Sequence, residues 1–152
     1  MKDNAVANVL RRPSVELAAR VLLTLPFWAS GLTKTFAFDE GVAEMARAGL
    51  EPAVVYNVAT VATQLIGSAC VISGRRVWLG AGALGIFTAL TILCVHRFWV
   101  MTVEPFATIA RHTAVEHVGM IGGLLAIAVL SARRPSSADQ QSDREPRSVW
   151  QP

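Results

Sequence analysis

The sequence predicts an all-α fold: an integral membrane bundle of four transmembrane helices, with a short interfacial amphipathic helix between the first and second. Three observations carry this. Hydrophobic residues make up 53% of the 152-residue chain and charged residues only 16%, against roughly 25% charged in a soluble domain. The charges crowd the N-terminus, the short connections and the C-terminal end, leaving long stretches almost free of charge. Those stretches have the length that a bilayer demands, and a helix is the one open-chain structure that satisfies its own backbone in lipid.

Residues 1–13 are polar and basic and are read as a cytoplasmic N-terminal segment, after which Ser14 is placed to cap a helix. Segment one then runs from about Val15 to Phe36, segment two from about Ala53 to Ser73, segment three from about Val77 to Val100 and segment four from about His112 to Ala132. Each holds the roughly twenty residues that a hydrocarbon core about 30 Å thick requires. The first apolar stretch continues past Pro26 without a small-residue cleavage site, so it is expected to be kept as a helix. Between segments one and two, Val42, Met45, Ala46 and Leu50 recur at helical spacing, with Glu40, Glu44 and Arg47 on other faces. That pattern predicts an amphipathic helix lying at the membrane surface. Met101 to Arg111, with Glu104-Pro105, is read as a loop. The transmembrane domain thus covers residues 14–132, and residues 133–152, rich in Ser, Gln, Asp and Arg, are expected to be a disordered cytoplasmic tail.

Orientation follows from the basic residues. Lys2, Arg11, Arg12, Arg75, Arg76, Arg133 and Arg134 fall on one side of a four-pass chain. Lys34, Arg47, Arg97 and Arg111 fall on the other, beside Asp39, Glu40, Glu44, Glu51 and Glu104. The positive-inside rule places the first group, and both termini, in the cytoplasm of a bacterial inner membrane. Trp78 and Trp99 bracket segment three, and about 31 Å of continuous helix would separate them, which suits an aromatic anchor at each interface.

Polar residues inside the spans are costly in lipid and are therefore informative. Glu16, Arg20, Thr24, Phe27, Gly31 and Lys34 line one face of segment one. They are either a structural ion pair with Lys34 reaching the interface, or a stripe facing a polar pocket. Asn57, Thr60, Gln64 and Ser68 form a second stripe on segment two, in which Gln64 either bonds between helices or contacts a ligand directly. The outer ends of segments three and four gather His96, Arg97, His112, Glu116 and His117 near Lys34. His112 and Glu116 share a face, while His117 points about 140° away from His112. A metal site from His96, His112 and Glu116 has no specific spacing behind it, so none is assigned. The alternatives are hydrated interfacial groups and a small-molecule or quinone pocket opening outward. Cys70 and Cys94 lie at different depths and are not expected to bridge. Gly80, Gly82 and Gly85 on segment three, with Gly119, Gly122 and Gly123 on segment four, permit close helix packing or self-association.

Several function classes are excluded. The net charge of +3 comes without a basic helix or interleaved aromatics, so nucleic acid is not a partner. There is no CxxC, no CxxCH and no glycine-rich nucleotide fingerprint. The chain has no intrinsic redox group and could take part in electron transfer only beside a partner that carries the electrons.

Arg20 followed by Phe27, Ser30-Gly31 and Lys34, then Gln64-Leu65-Ile66-Gly67 and Gly74-Arg75, then His96-Arg97-Phe98-Trp99, then Met120 to Leu125, resemble the ordered motifs of the DoxX family. The resemblance covers roughly Glu16 to Leu130. Gln64 stands where the family often has an acid, and Glu116-His117 where it often has Lys-Asn. The resemblance implies a small four-helix membrane protein similar to the membrane subunit of thiosulfate:quinone oxidoreductases, some relatives of which act with oxidoreductase partners in redox-stress complexes. Arg20, Lys34, Gln64, His96, Glu116 and His117 are then the candidate ligand-binding residues, quinone the candidate cofactor, and an oxidoreductase or a second copy the candidate partner. A structural, self-associating scaffold without catalytic activity is the alternative, and a small transporter a further one.

Overall fold

The computed structural model describes residues 2–133, with no strand among them. Its elements are α1 (Lys2–Leu10), α2 (Pro13–Phe36), α3 (Phe38–Arg47), α4 (Ala53–Ser73), α5 (Val77–Cys94), a 3₁₀ turn (Phe98–Val100) and α6 (Phe106–Ala132). Four spans are long and apolar enough to cross a membrane: Pro13–Phe36, Ala53–Ser73, Val77–Val100 and Phe106–Ala132. This is a multi-pass membrane protein. The tail expected to be disordered lies outside the described residues from position 134 on.

Three boundaries differ from the sequence expectation. Arg12 rather than Ser14 flanks the start of α2, because Pro13 occupies the first turn. A proline fits there, since its missing N–H is a donor the helix leaves unpaired anyway. The third span is not one continuous helix. The N–H groups of Val95 and His96 both reach the carbonyl of Thr91, at 2.9 and 3.0 Å, and α5 ends there. Trp78 and Trp99 are exposed, but the 31 Å helical separation expected between them therefore does not apply. The last helix starts at Phe106, six residues before the expected His112. Pro105 flanks its start, and the Glu104 carboxylate accepts the N–H of Thr108 at 3.4 Å. A helix start so supplied with an acceptor can extend beyond the apolar run.

The spans pack in chain order, α2 on α4, α4 on α5 and α5 on α6, while α2 and α6 meet only lightly. Arg11, Arg12, Arg75, Arg76 and Arg133 mark one end, called proximal below; Lys34, α3, His96 and Glu104 mark the distal end. α3 folds over the distal part of α4, burying Gly41 and Met45 against it. The Nδ2 of fully buried Asn57 donates to the carbonyl of Phe38 at 3.4 Å and pins α3 in place.

The core gathers Phe27, Val71, Ala81, Leu84 and Leu124. Lipid gives no hydrophobic drive between helices, so close backbone approach and cross-helix bonds must hold them. Gly67 and Gly80 supply the closest approach. A Cβ on Gly80 would stand 2.6 Å from the Gly67 carbonyl oxygen and 2.7 Å from Cys70 Cβ. Gly123 similarly receives Leu23 where α6 meets α2. Gly82, Gly119 and Gly122 have nothing against them within 4 Å, and neither does Gly85. The glycine-rich stretches therefore contribute Gly80 and Gly123 to packing and leave the other four facing open space.

Candidate functional site

Two polar clusters lie at opposite depths. At the proximal end, Arg20 is nine-tenths buried and pairs with Glu16 one turn earlier on α2. Its guanidinium lies against Gly74, which ends α4 in the left-handed region at φ 75°. A side chain at Gly74 would strain the backbone and strike the guanidinium together. The expected Glu16–Arg20 ion pair is present, and it serves to close this end.

The distal half holds a cavity of about 740 Å³. Phe27 and Phe87 meet edge to face at 6.5 Å near its floor. α3 brings Glu44 and Met45 to its distal end, and Leu50, beyond the end of α3, also lines it. Pro26 sits in its α2 wall; a proline there withholds one backbone donor, and the indole N–H of Trp28 donates to the neighbouring Val21 carbonyl at 3.3 Å.

The wall is largely apolar, and its polar groups converge. Gln64 Nε2 donates to Ser30 Oγ at 3.3 Å, the cross-helix bond that the sequence pointed to. Lys34 Nζ reaches the same Ser30 Oγ at 3.4 Å and pairs with Glu44 at 2.7 Å. Gln64 Oε1 is buried without a partner, and Gln64 is among the residues that line the cavity. Ser30 can donate or accept, so either amide orientation leaves one polar atom of Gln64 without a partner. His96 and His117 complete the distal wall in an edge-to-face contact 5.1 Å between ring centres. A buried amide atom left without a partner is costly unless a ligand or water meets it.

The structure thus brings together Lys34, Gln64, His96 and His117 and leaves out two other candidate residues. Arg20 belongs to the proximal cluster. Glu116 is exposed, as is His112, while His117 turns inward, as their angular separation on the helix requires. Among the described residues no three metal-capable side chains come together. Ser30 and Glu44 were not among the sequence candidates. Ser30 precedes Lys34 by one helical turn, a signal present in the sequence. Glu44 gave none, because its meeting with Lys34 depends on how α3 folds back. Cys70 and Cys94 are both free.

The DoxX family model matches residues 15–97, more than half of the chain. The chain belongs to the DoxX family. The match takes in α2 to α5 and ends at the His96-Arg97 step, so His117 and the glycines of α6 lie beyond it. No curated protein and no solved structure matches the chain. In this DoxX protein the Ser30-Gly31 step and Gln64 meet across α2 and α4: Gly31 packs against the stem of Gln64 and against Leu65, and Ser30 takes the Gln64 amide.

Proposed function

We propose that this DoxX protein is a membrane subunit of a redox complex in a bacterial inner membrane and that its distal cavity holds a quinone-class molecule. The observation that carries the reading is Gln64, a residue in the wall of a largely apolar cavity of about 740 Å³, whose buried amide keeps one polar atom without a partner. That volume lies in the roughly 300–1,000 Å³ span of small-molecule sites, which pair apolar walls with a few convergent polar groups. The residues present fit the group. Ser30, Lys34 and Gln64 can donate to ring carbonyls, Gln64 Oε1 can accept from the hydroxyls of the reduced form, and Phe27 and Phe87 offer ring faces. A quinone supplies two-electron chemistry when bound. The chain's own groups bind and orient it, with Glu44 holding Lys34 in place. Electrons have to come from a partner oxidoreductase.

The distribution of basic residues supports an orientation with the proximal end in the cytoplasm and the cavity in the outer half of the membrane. Titration of the detergent-purified protein with a short-tailed ubiquinone analogue is the direct test. Saturable binding is expected, with Gln64→Leu weakening it about tenfold, close to the 1.4 kcal/mol worth of one hydrogen bond to a buried group. Equal affinity in wild type and Gln64→Leu would sink the assignment of this site.

A scaffold reading has one observation of its own. Gly119 and Gly122 share a face of α6 with nothing packed on it. Small residues on a lipid-facing helix suit association with a second helix, and a monomer of unchanged stability after Gly119→Leu would end that reading.

A further inference from the structure

The seam between α4 and α5 differs at its two ends. In the proximal half it is shut where Gly67 and Gly80 bring the two backbones into contact. The same helix faces continue outward. On α4 the face carries Tyr56 and Thr63, and on α5 it carries Phe87 and Thr91, with Ile86 and Leu90 beside it at the edge of the seam. No glycine pair closes the seam there. These residues line the cavity, yet Ile86 is 66% exposed, Leu90 53% and Tyr56 43%. A side chain that lines a cavity and is also well exposed borders an opening. At the distal end α3 lies over part of the cavity: Met45 is buried, the Lys34–Glu44 pair ties α3 to α2, and the Thr60 hydroxyl reaches Met45 Sδ at 3.9 Å. The distal end is partly covered by α3, while the seam between α4 and α5 is bordered by exposed apolar side chains.

We propose that the cavity is filled sideways from the membrane through a window between α4 and α5. Its occupant is a lipid-phase molecule whose carbonyl- or hydroxyl-bearing head meets Gln64 and whose apolar tail leaves between Tyr56 and Ile86. This deepens the quinone reading by naming the phase that supplies the ligand, and it rests on that reading for the head group alone. The window follows from helix packing. Gly67 and Gly80 hold the helices at contact at one end, and beyond them the cavity is lined by larger side chains of both helices, Tyr56 and Thr63 of α4 and Ile86, Phe87 and Leu90 of α5.

The test needs no quinone. In a background with Cys70→Ala and Cys94→Ala, Thr63→Cys places a single thiol in the window wall of the full-length protein in phospholipid vesicles. Its labelling by a long-chain N-alkylmaleimide, delivered from the lipid, is compared with labelling by a charged, membrane-impermeant methanethiosulfonate. Fast reaction with the first and negligible reaction with the second is expected. Adding Ile86→Trp should slow the lipid-borne reagent several-fold, Ile86→Ala should not, and Leu125→Trp on the outer face of α6 should leave it unchanged. Reaction with the charged reagent at a comparable rate would mean that the cavity opens to water and would overturn the proposal, as would labelling by neither reagent or indifference to Ile86→Trp. Sideways labelling together with absent quinone binding would uphold the window and remove only the quinone.

Discussion

The proximal and distal halves of this bundle use the same four helices to opposite ends. In the proximal half, Gly67 meets Gly80, Arg20 is locked between Glu16 and Gly74, and Leu84, Val71 and Leu124 are almost completely buried. In the distal half the helices part around a cavity of about 740 Å³, and its polar residues include Gln64, whose amide oxygen has no partner. Where lipid gives helices no reason to associate, contact has to be built by close approach and bonded polar groups. The proximal half does this. The distal half is held by a cross-helix bond from Gln64 to Ser30 and by the strap of α3, which leaves room for something else. One half is thus committed to holding the helices and the other is free to bind.

This contrast can be broken at several points. The largest effect is expected at Arg20. Arg20→Leu removes one partner of a buried ion pair, which costs about 3–5 kcal/mol when the remaining charge is fully buried. Glu16 keeps some contact with water, so about 3 kcal/mol is expected, measured as lost folded protein and a lower unfolding midpoint in detergent. Unchanged thermal stability would show that the proximal half is not the anchor.

Gly80→Ala comes next. Its Cβ would meet a backbone oxygen and another Cβ, neither of which is the flexible end of a side chain. Overpacking of that kind costs about 1–3 kcal/mol, and the same thermal melt should record it. Gly82→Ala, two residues away with open space before it, is the control and should match wild type or exceed it.

In the distal half stability and binding should separate. A cross-helix side-chain bond in a membrane protein averages about 0.6 kcal/mol, so Gln64→Leu should barely shift the melt while it weakens ligand binding. A melt lowered as far as that of Arg20→Leu would place Gln64 among the structural residues and erase the distinction between the halves. The smallest effect belongs to the Lys34–Glu44 pair. Glu44 is about half exposed, and pairs so solvated contribute roughly 0–1 kcal/mol. Glu44→Gln should leave the melt within that range, and its trace should be found instead in faster exchange of the backbone amides of α3.

Much of the architecture was legible because lipid imposes simple rules. The second span falls where apolar length placed it, Ala53–Ser73, and α3 falls on the amphipathic stretch. The polar stripes of segments one and two face inward, since a polar group in lipid has nowhere else to be satisfied. What the stripes do was not legible. Arg20 and Lys34 share a face of one helix, yet one locks the proximal packing and the other borders the cavity. Glu116 and His117 are neighbours, yet one is exposed and the other meets His96. Helix boundaries failed where a local bond outweighed hydropathy, at Thr91, which ends α5, and at Glu104-Pro105, which starts α6.

The sequence by itself determined a four-pass helical bundle with charged ends and two inward polar stripes, because bilayer thickness and the cost of unpaired backbone in lipid act on each segment separately. The tertiary structure decided that the stripes split into a lock and a cavity, that α3 brings Glu44 over Lys34, and that the α4–α5 seam is shut at one end and open at the other. Those features depend on which residues of different helices come opposite one another, and the spacing along one helix carries no record of that.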